Sequence, residues 1–108
     1  MNRSYHVYAS AKPGVTAEEF ENGIKRFLDT QIVGNHLCAY RIMRFESNAE
    51  QGDTPEYQII CDYASEEDLK KGFEGMRPDR WKQDPHAGMM EMVGKFRVAF
   101  SEDVANSN

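Results

Sequence analysis

Histidine is the side chain best suited to move a proton near neutral pH, and this chain has three. His86 follows Asp84-Pro85 at the predicted start of a short helix, a place from which an imidazole can act as general acid or base in a pocket. It is the single candidate catalytic residue; the alternative is a surface or capping histidine. His6 and Tyr8 alternate along the first predicted strand, so they share one face. Their polar tips can orient a phenolic or quinone-like molecule, or they can pack in an interface with the tips hydrogen-bonded.

Three charged residues, Arg41, Asp62 and Arg97, fall inside predicted strands. Charge within a sheet is costly unless paired, so an Arg–Asp pair across the sheet is the structural expectation. A carboxylate-binding arginine, Arg41 or Arg97, is the functional one. Trp81 with Met76, Met89, Met90 and Met92 can wall an apolar pocket, although methionines at helical spacing also serve as core filler. The histidines have no carboxylate at metal-ligand spacing, which argues against a metal site. No Ser-His-Asp set, nucleophilic Cys arrangement or Gly-rich phosphate loop is present.

The composition narrows the partners. The formal charge is −5 and the basic residues are scattered, so nucleic acid is not an expected partner. Two cysteines, Cys38 and Cys61, are too few for a disulfide scaffold and read as ordinary strand residues. No apolar run approaches the roughly 20 residues of a membrane span, and the first residues lack a leader's apolar stretch. The expectation is a cytoplasmic protein with no membrane partner. Its 108 residues suit one domain, residues 1–108, ending in a polar tail over 101–108.

The elements that position these residues follow from periodicity. Residues 4–11 alternate, with Tyr5, Val7, Ala9 and Ala11 opposite His6, Tyr8 and Ser10, and Pro13-Gly14 ends the strand. Thr16 and Glu19 form a capping box, after which Phe20, Ile24, Phe27 and Leu28 make the apolar stripe of a helix. Gly34 or Asn35 offers its left-handed stop. A second strand is predicted over 36–45, with Tyr40 and Ile42 opposite Arg41 and Met43 in parity. A long polar loop leads to a third strand over 56–63. Ser65 caps a second helix carrying Leu69, Phe73 and Met76, which Pro78 stops. After an irregular stretch the short helix at Asp84-Pro85 runs to Gly94, and a last strand covers 95–100.

Strand, helix, strand, strand, helix, strand is the ferredoxin-like βαββαβ order of an α+β protein. It implies a four-stranded antiparallel sheet with the helices on one face. The other face would then carry His6, Tyr8, Tyr40, Ile42, Ile60 and Ala99, a half-apolar surface that calls for cover. The economical cover is a second copy related by a two-fold axis, that is, a homodimer through the sheet faces.

The same residues resemble a family. Lys12-Pro13-Gly14 followed by Thr16-Ala17-Glu18-Glu19-Phe20 resembles the opening of the dimeric α+β barrel superfamily. That superfamily includes antibiotic-biosynthesis monooxygenase-like and stress-responsive A/B barrel proteins. Leu37-Cys38-Ala39-Tyr40 is similar to their second strand. The run from Tyr57 through Leu69 is similar to their third strand and helix-two start, and Asp84-Pro85-His86 to the step before the next helix. The resemblance implies a pocket lined by His86, and an activity, if any, that needs no metal or flavin because the substrate itself activates oxygen or carries the rearranging proton. It also marks departures. The helix-two histidine common in these families falls on Gly72, and the third-strand aromatic, often Trp, is Tyr63. The heme-degrading set falls on Val7, Tyr63 and Met90 and matches none of them. Residues 77–83 look like an insertion that supplies Trp81.

Two functions stay open at this point. One is a dimer, non-catalytic or of unknown activity, that binds a small apolar or aromatic molecule or a protein, with pocket residues His6, Tyr8, Tyr63, Trp81 and Arg97. The other is a cofactor-independent monooxygenase or isomerase acting on a small aromatic or polyketide-like substrate, with His86 as base.

Overall fold

The computed structural model describes residues 2–46, 55–76, 83, 85–105 and 107. The elements run β1 (Arg3–Ala11), α1 (Ala17–Gly34), β2 (Ala39–Arg44), β3 (Tyr57–Tyr63), α2 (Glu66–Gly75), α3 (His86–Glu91) and β4 (Val93–Glu102). Each strand pair is antiparallel and the sheet order is β2-β3-β1-β4, the ferredoxin-like arrangement.

Local chemistry explains the helix starts. The Glu19 amide donates to the Thr16 hydroxyl at 3.1 Å, while that hydroxyl donates to the Glu19 carboxylate, so the two ends of the box close on each other. Ser65 accepts the Asp68 amide in the same way at the start of α2. The end of α1 differs from expectation. Neither Gly34 nor Asn35 is left-handed; His36 is, at φ 69°. Asn35 is held by a different task, since its side-chain amide donates to Gln31 and to the Gly72 carbonyl, both at 2.6 Å, and so ties α1 to α2.

All three helices lie on one face of the sheet. Phe20, fully buried, packs tilted against Tyr57 at 5.0 Å, and Tyr5 meets Phe73 edge-on at 5.0 Å. Met89 and Met92 pack against this core as filler. Met92 also takes up the space that Gly23 leaves on α1. Cys61 is buried among these residues, and burial pushes its thiol up to about 12, so it is an unreactive core residue. Cys38 precedes β2 and is exposed, so only one of the two cysteines is a strand residue.

Three expectations are corrected. Tyr40 and Ile42 belong to the helix face, because they pair with Cys61 and Ile59; the Tyr40 hydroxyl reaches Asp29 of α1 at 2.5 Å. Strand β4 begins directly after α3 and absorbs Gly94, with a bulge where it passes Ser10 and Ala11. The helices also cover β4 only in part, α2 reaching it through Phe73 against Phe100. Phe96, Val98 and Phe100 point to the helix side yet remain 55, 46 and 50% exposed. Uncovered apolar surface therefore lies on the helix side of an edge strand as well as around Ile60 and Ala99 on the open sheet face.

A latch joins α1 to the sheet. Glu21 accepts from the Tyr57 hydroxyl at 2.6 Å and from both Arg44 Nε and its terminal nitrogen. The Tyr57 hydrogen bond first, and Arg44 second, hold the Glu21 carboxyl below its ordinary value of 4.5. A depressed carboxyl contributes stability above the unfolded-state value, and that stability is lost as pH falls through the folded one. Glu21→Gln is therefore expected to cost about 1 kcal/mol at neutral pH, discounted for partial exposure, and progressively less as pH falls below 4.5 and on through the lower folded value. Urea melts at pH 7 and pH 3 check this; an equal loss at both would show that the carboxylate charge is not what holds the latch.

Candidate functional site

Cross-strand register lays out the open face as rows across β2, β3, β1 and β4. One row is Ala39, Asp62, Ser4 and Ser101. The next is Arg41, Ile60, His6 and Ala99, followed by Met43, Gln58, Tyr8 and Arg97. The centre of the sheet thus brings together three of the residues singled out from sequence: His6, Tyr8 and Arg97.

Those residues form one network. The Gln58 side-chain amide donates to Nδ1 of His6 and to the Tyr8 hydroxyl oxygen, each at 3.2 Å. With Nδ1 accepting, Nε2 carries the proton and donates to the Ser101 hydroxyl at 2.8 Å. Both ring nitrogens of His6 are therefore occupied and the neutral tautomer is fixed. The guanidinium of Arg97 lies 5.9 Å from the centroid of the Tyr8 ring, within cation–π range. What the network leaves for a visitor is the Tyr8 O–H as donor and the Gln58 carbonyl oxygen as acceptor, neither of them bonded among the described residues. The expected Arg–Asp pair across the sheet does not form: Asp62 accepts from the Ser4 hydroxyl at 2.6 Å instead.

Gln58 and Ser101 are the residues that sequence reasoning missed. The alternation of β3 already separates Gln58 from Tyr57 and Ile59. Its place beside His6 and Tyr8 depends on register, which the alternation does not carry.

His86 lies on the other side of the sheet. Its ring meets Phe27 of α1 at 4.9 Å, edge to face. It borders a cleft of about 340 Å³ that Gln31, Asn35 and Met76 also line. His86 therefore does not converge with His6 and Tyr8 within one chain. Tyr63 is likewise on the helix side, 6% exposed, and burial drives its hydroxyl pKa well above the ordinary 10. Its ring fills the space beside Gly72, where a Cβ would sit 2.9 Å from Tyr63 Cε1 and 3.1 Å from the Asn35 carbonyl oxygen. The missing helix-two histidine and the third-strand tyrosine are thus two sides of one packing arrangement. Trp81 lies outside the described residues. No described helix is long and apolar enough to cross a membrane.

No family model and no curated protein matches the chain in sequence. Solved structures do match it in shape. SnoaB, a cofactor-independent oxygenase from Streptomyces nogalater, superposes with a TM-score of 0.72 at 9% identity, covering 98% of this chain and 96% of SnoaB. A protein from Arabidopsis thaliana gives 0.70 at 16% identity over 98% of this chain and 99% of its own. A dimeric ferredoxin-like protein of unknown function from Thermobifida fusca gives 0.61 at 10% identity, covering 94% and 90%. At these identities the likeness is one of fold, and the chain has the ferredoxin-like α+β fold.

Proposed function

We propose that this chain is a homodimer whose two open sheet faces, sealed along β4, enclose a small aromatic molecule that is bound and not transformed. The observation that carries the reading is the engagement of both His6 nitrogens. A general base needs a free lone pair within reach of the proton it takes. His6 has none to offer, while Gln58 and Tyr8 present one acceptor and one donor in fixed positions. That pair matches a phenol, whose O–H donates to Gln58 while its oxygen accepts from Tyr8. The dimeric state of the Thermobifida fusca protein, which shares the fold, supports the pairing.

The test is titration of the full chain with 2-naphthol, a phenol large enough to reach both the donor and the acceptor. Binding is expected, and Gln58→Leu is expected to weaken it about tenfold, the effect of losing one or two hydrogen bonds in a desolvated site. Absence of binding, or an unchanged affinity in Gln58→Leu, would overturn the reading.

The second reading, a cofactor-independent monooxygenase or isomerase with His86 as base, draws on the fold shared with SnoaB and on the cleft beside His86. It places the chemistry on the helix side of the sheet. Oxygen uptake on an aromatic substrate that disappears in His86→Ala and survives in Gln58→Leu would favour it over the binding site proposed here.

A further inference from the structure

Arg97 projects from the middle of β4 onto the open face, and among the described residues no carboxylate pairs with it. Its neighbours on that face are neutral or cationic. Lys95 and Ala99 flank it along β4, Tyr8 stands opposite, and His6 and Ser10 are diagonal. The nearest acids of the face have other partners: Asp62 accepts from Ser4, and Glu56 accepts the Ala11 amide at 3.0 Å. The Tyr8 ring supports the guanidinium carbon at 5.9 Å but takes none of its N–H donors.

We infer that Arg97, with Lys95 beside it and Tyr8 against it, is the anion-binding point of the open-face site, and that the molecule held there is an aromatic carboxylate or a planar organic anion of the same shape. This rests on the proposed function, in which a second copy closes over the face. Closure removes water from Arg97, and a cation stripped of water without a partner is costly. A ligand that brings one negative charge removes that cost. The planar fork of a guanidinium matches the two oxygens of a carboxylate, which a point-charge ammonium does not. The ligand's ring then lies over Tyr8 and His6, with Ile60 and Ala99 in the next row as apolar floor. The chain as a whole is acidic, at −5, so long-range attraction does not favour an anion; the preference has to come from this one position.

The experiment compares 2-naphthoate with 2-naphthamide, which share size and ring but differ in charge. The parent chain is expected to bind the carboxylate about tenfold more tightly than the amide. Arg97→Gln should erase that preference and leave amide binding in place, and Arg97→Lys should keep part of it. Arg97 is exposed in the single chain, so these variants are not expected to disturb folding; an unchanged urea midpoint checks this. Equal affinity for carboxylate and amide in the parent overturns the anion inference and leaves the small-molecule site standing. A preference that survives Arg97→Gln overturns the assignment to this residue. Binding of neither compound overturns both the inference and the function on which it rests.

Discussion

Gly72→His is expected to destabilise the chain by about 3 kcal/mol or more, a fall of roughly 15 °C in melting temperature for a domain of this size. Two costs combine. A Cβ at this position would lie 2.9 Å from the Tyr63 ring and 3.1 Å from the Asn35 carbonyl oxygen, and one of the contacts is backbone, which cannot swing aside. Overpacking of this kind costs about 1–3 kcal/mol before the rest of an imidazole is placed. The shift also strains the buried hydrogen bond from Asn35 to the Gly72 carbonyl, and a buried carbonyl left unpaired costs about 1–3 kcal/mol. If the third-strand Tyr63 is what fills the space of the missing histidine, then Tyr63→Ala should relieve part of the clash. The double variant is then expected to be at least about 1 kcal/mol more stable than the sum of the single changes. Urea denaturation of the four proteins closes the cycle. Strict additivity would separate the two departures from the family pattern and remove the packing explanation offered for them.

Much of the scaffold was legible because its signals are local. The capping box at Thr16 and the serine at 65 mark helix starts by hydrogen bonds that span three residues. The alternation of β3 appears as a buried-to-intermediate pattern along its whole length. What was not legible depends on pairing between distant segments. Parity correctly set Tyr40 and Ile42 against Arg41 and Met43, yet nothing local says which set meets the helices. That follows from Tyr40 facing Cys61 across the β2–β3 ladder. Apolar alternation in β4 gave a core face, but whether a helix reaches that face depends on where α1 and α2 cross the sheet. His6 and Tyr8 were visible as a pair. The network that fixes the His6 tautomer needed Gln58 and Ser101, which register delivers from 52 and 95 residues away.

The second large effect follows from β4. Among the described residues the strand closes the sheet on one side with β1 as its only neighbour, and its helix side leaves Phe96 and Val98 about half exposed. A ten-residue edge strand with an apolar side is a template for pairing unless something covers it. In the proposed dimer a second copy does so. Phe96→Asp combined with Val98→Asp is then expected to turn the dimer into a monomer, raising the dimer dissociation constant about a hundredfold or more, since desolvating an unpaired carboxylate at a seam costs several kcal/mol. The fold itself should survive, because in the single chain both side chains already face water. Phe100 is deliberately left in place, as it packs on Tyr5 at 5.1 Å and on Phe73 at 5.7 Å and its loss would reach the core. Sedimentation equilibrium reads the association state and far-ultraviolet circular dichroism reads the fold. A parent chain that sediments as a monomer would remove the dimer. A variant that remains dimeric would move the seam away from β4. A folded monomer that also loses 2-naphthol binding would tie the two proposals together, because a site made from facing sheets needs both copies to exclude water.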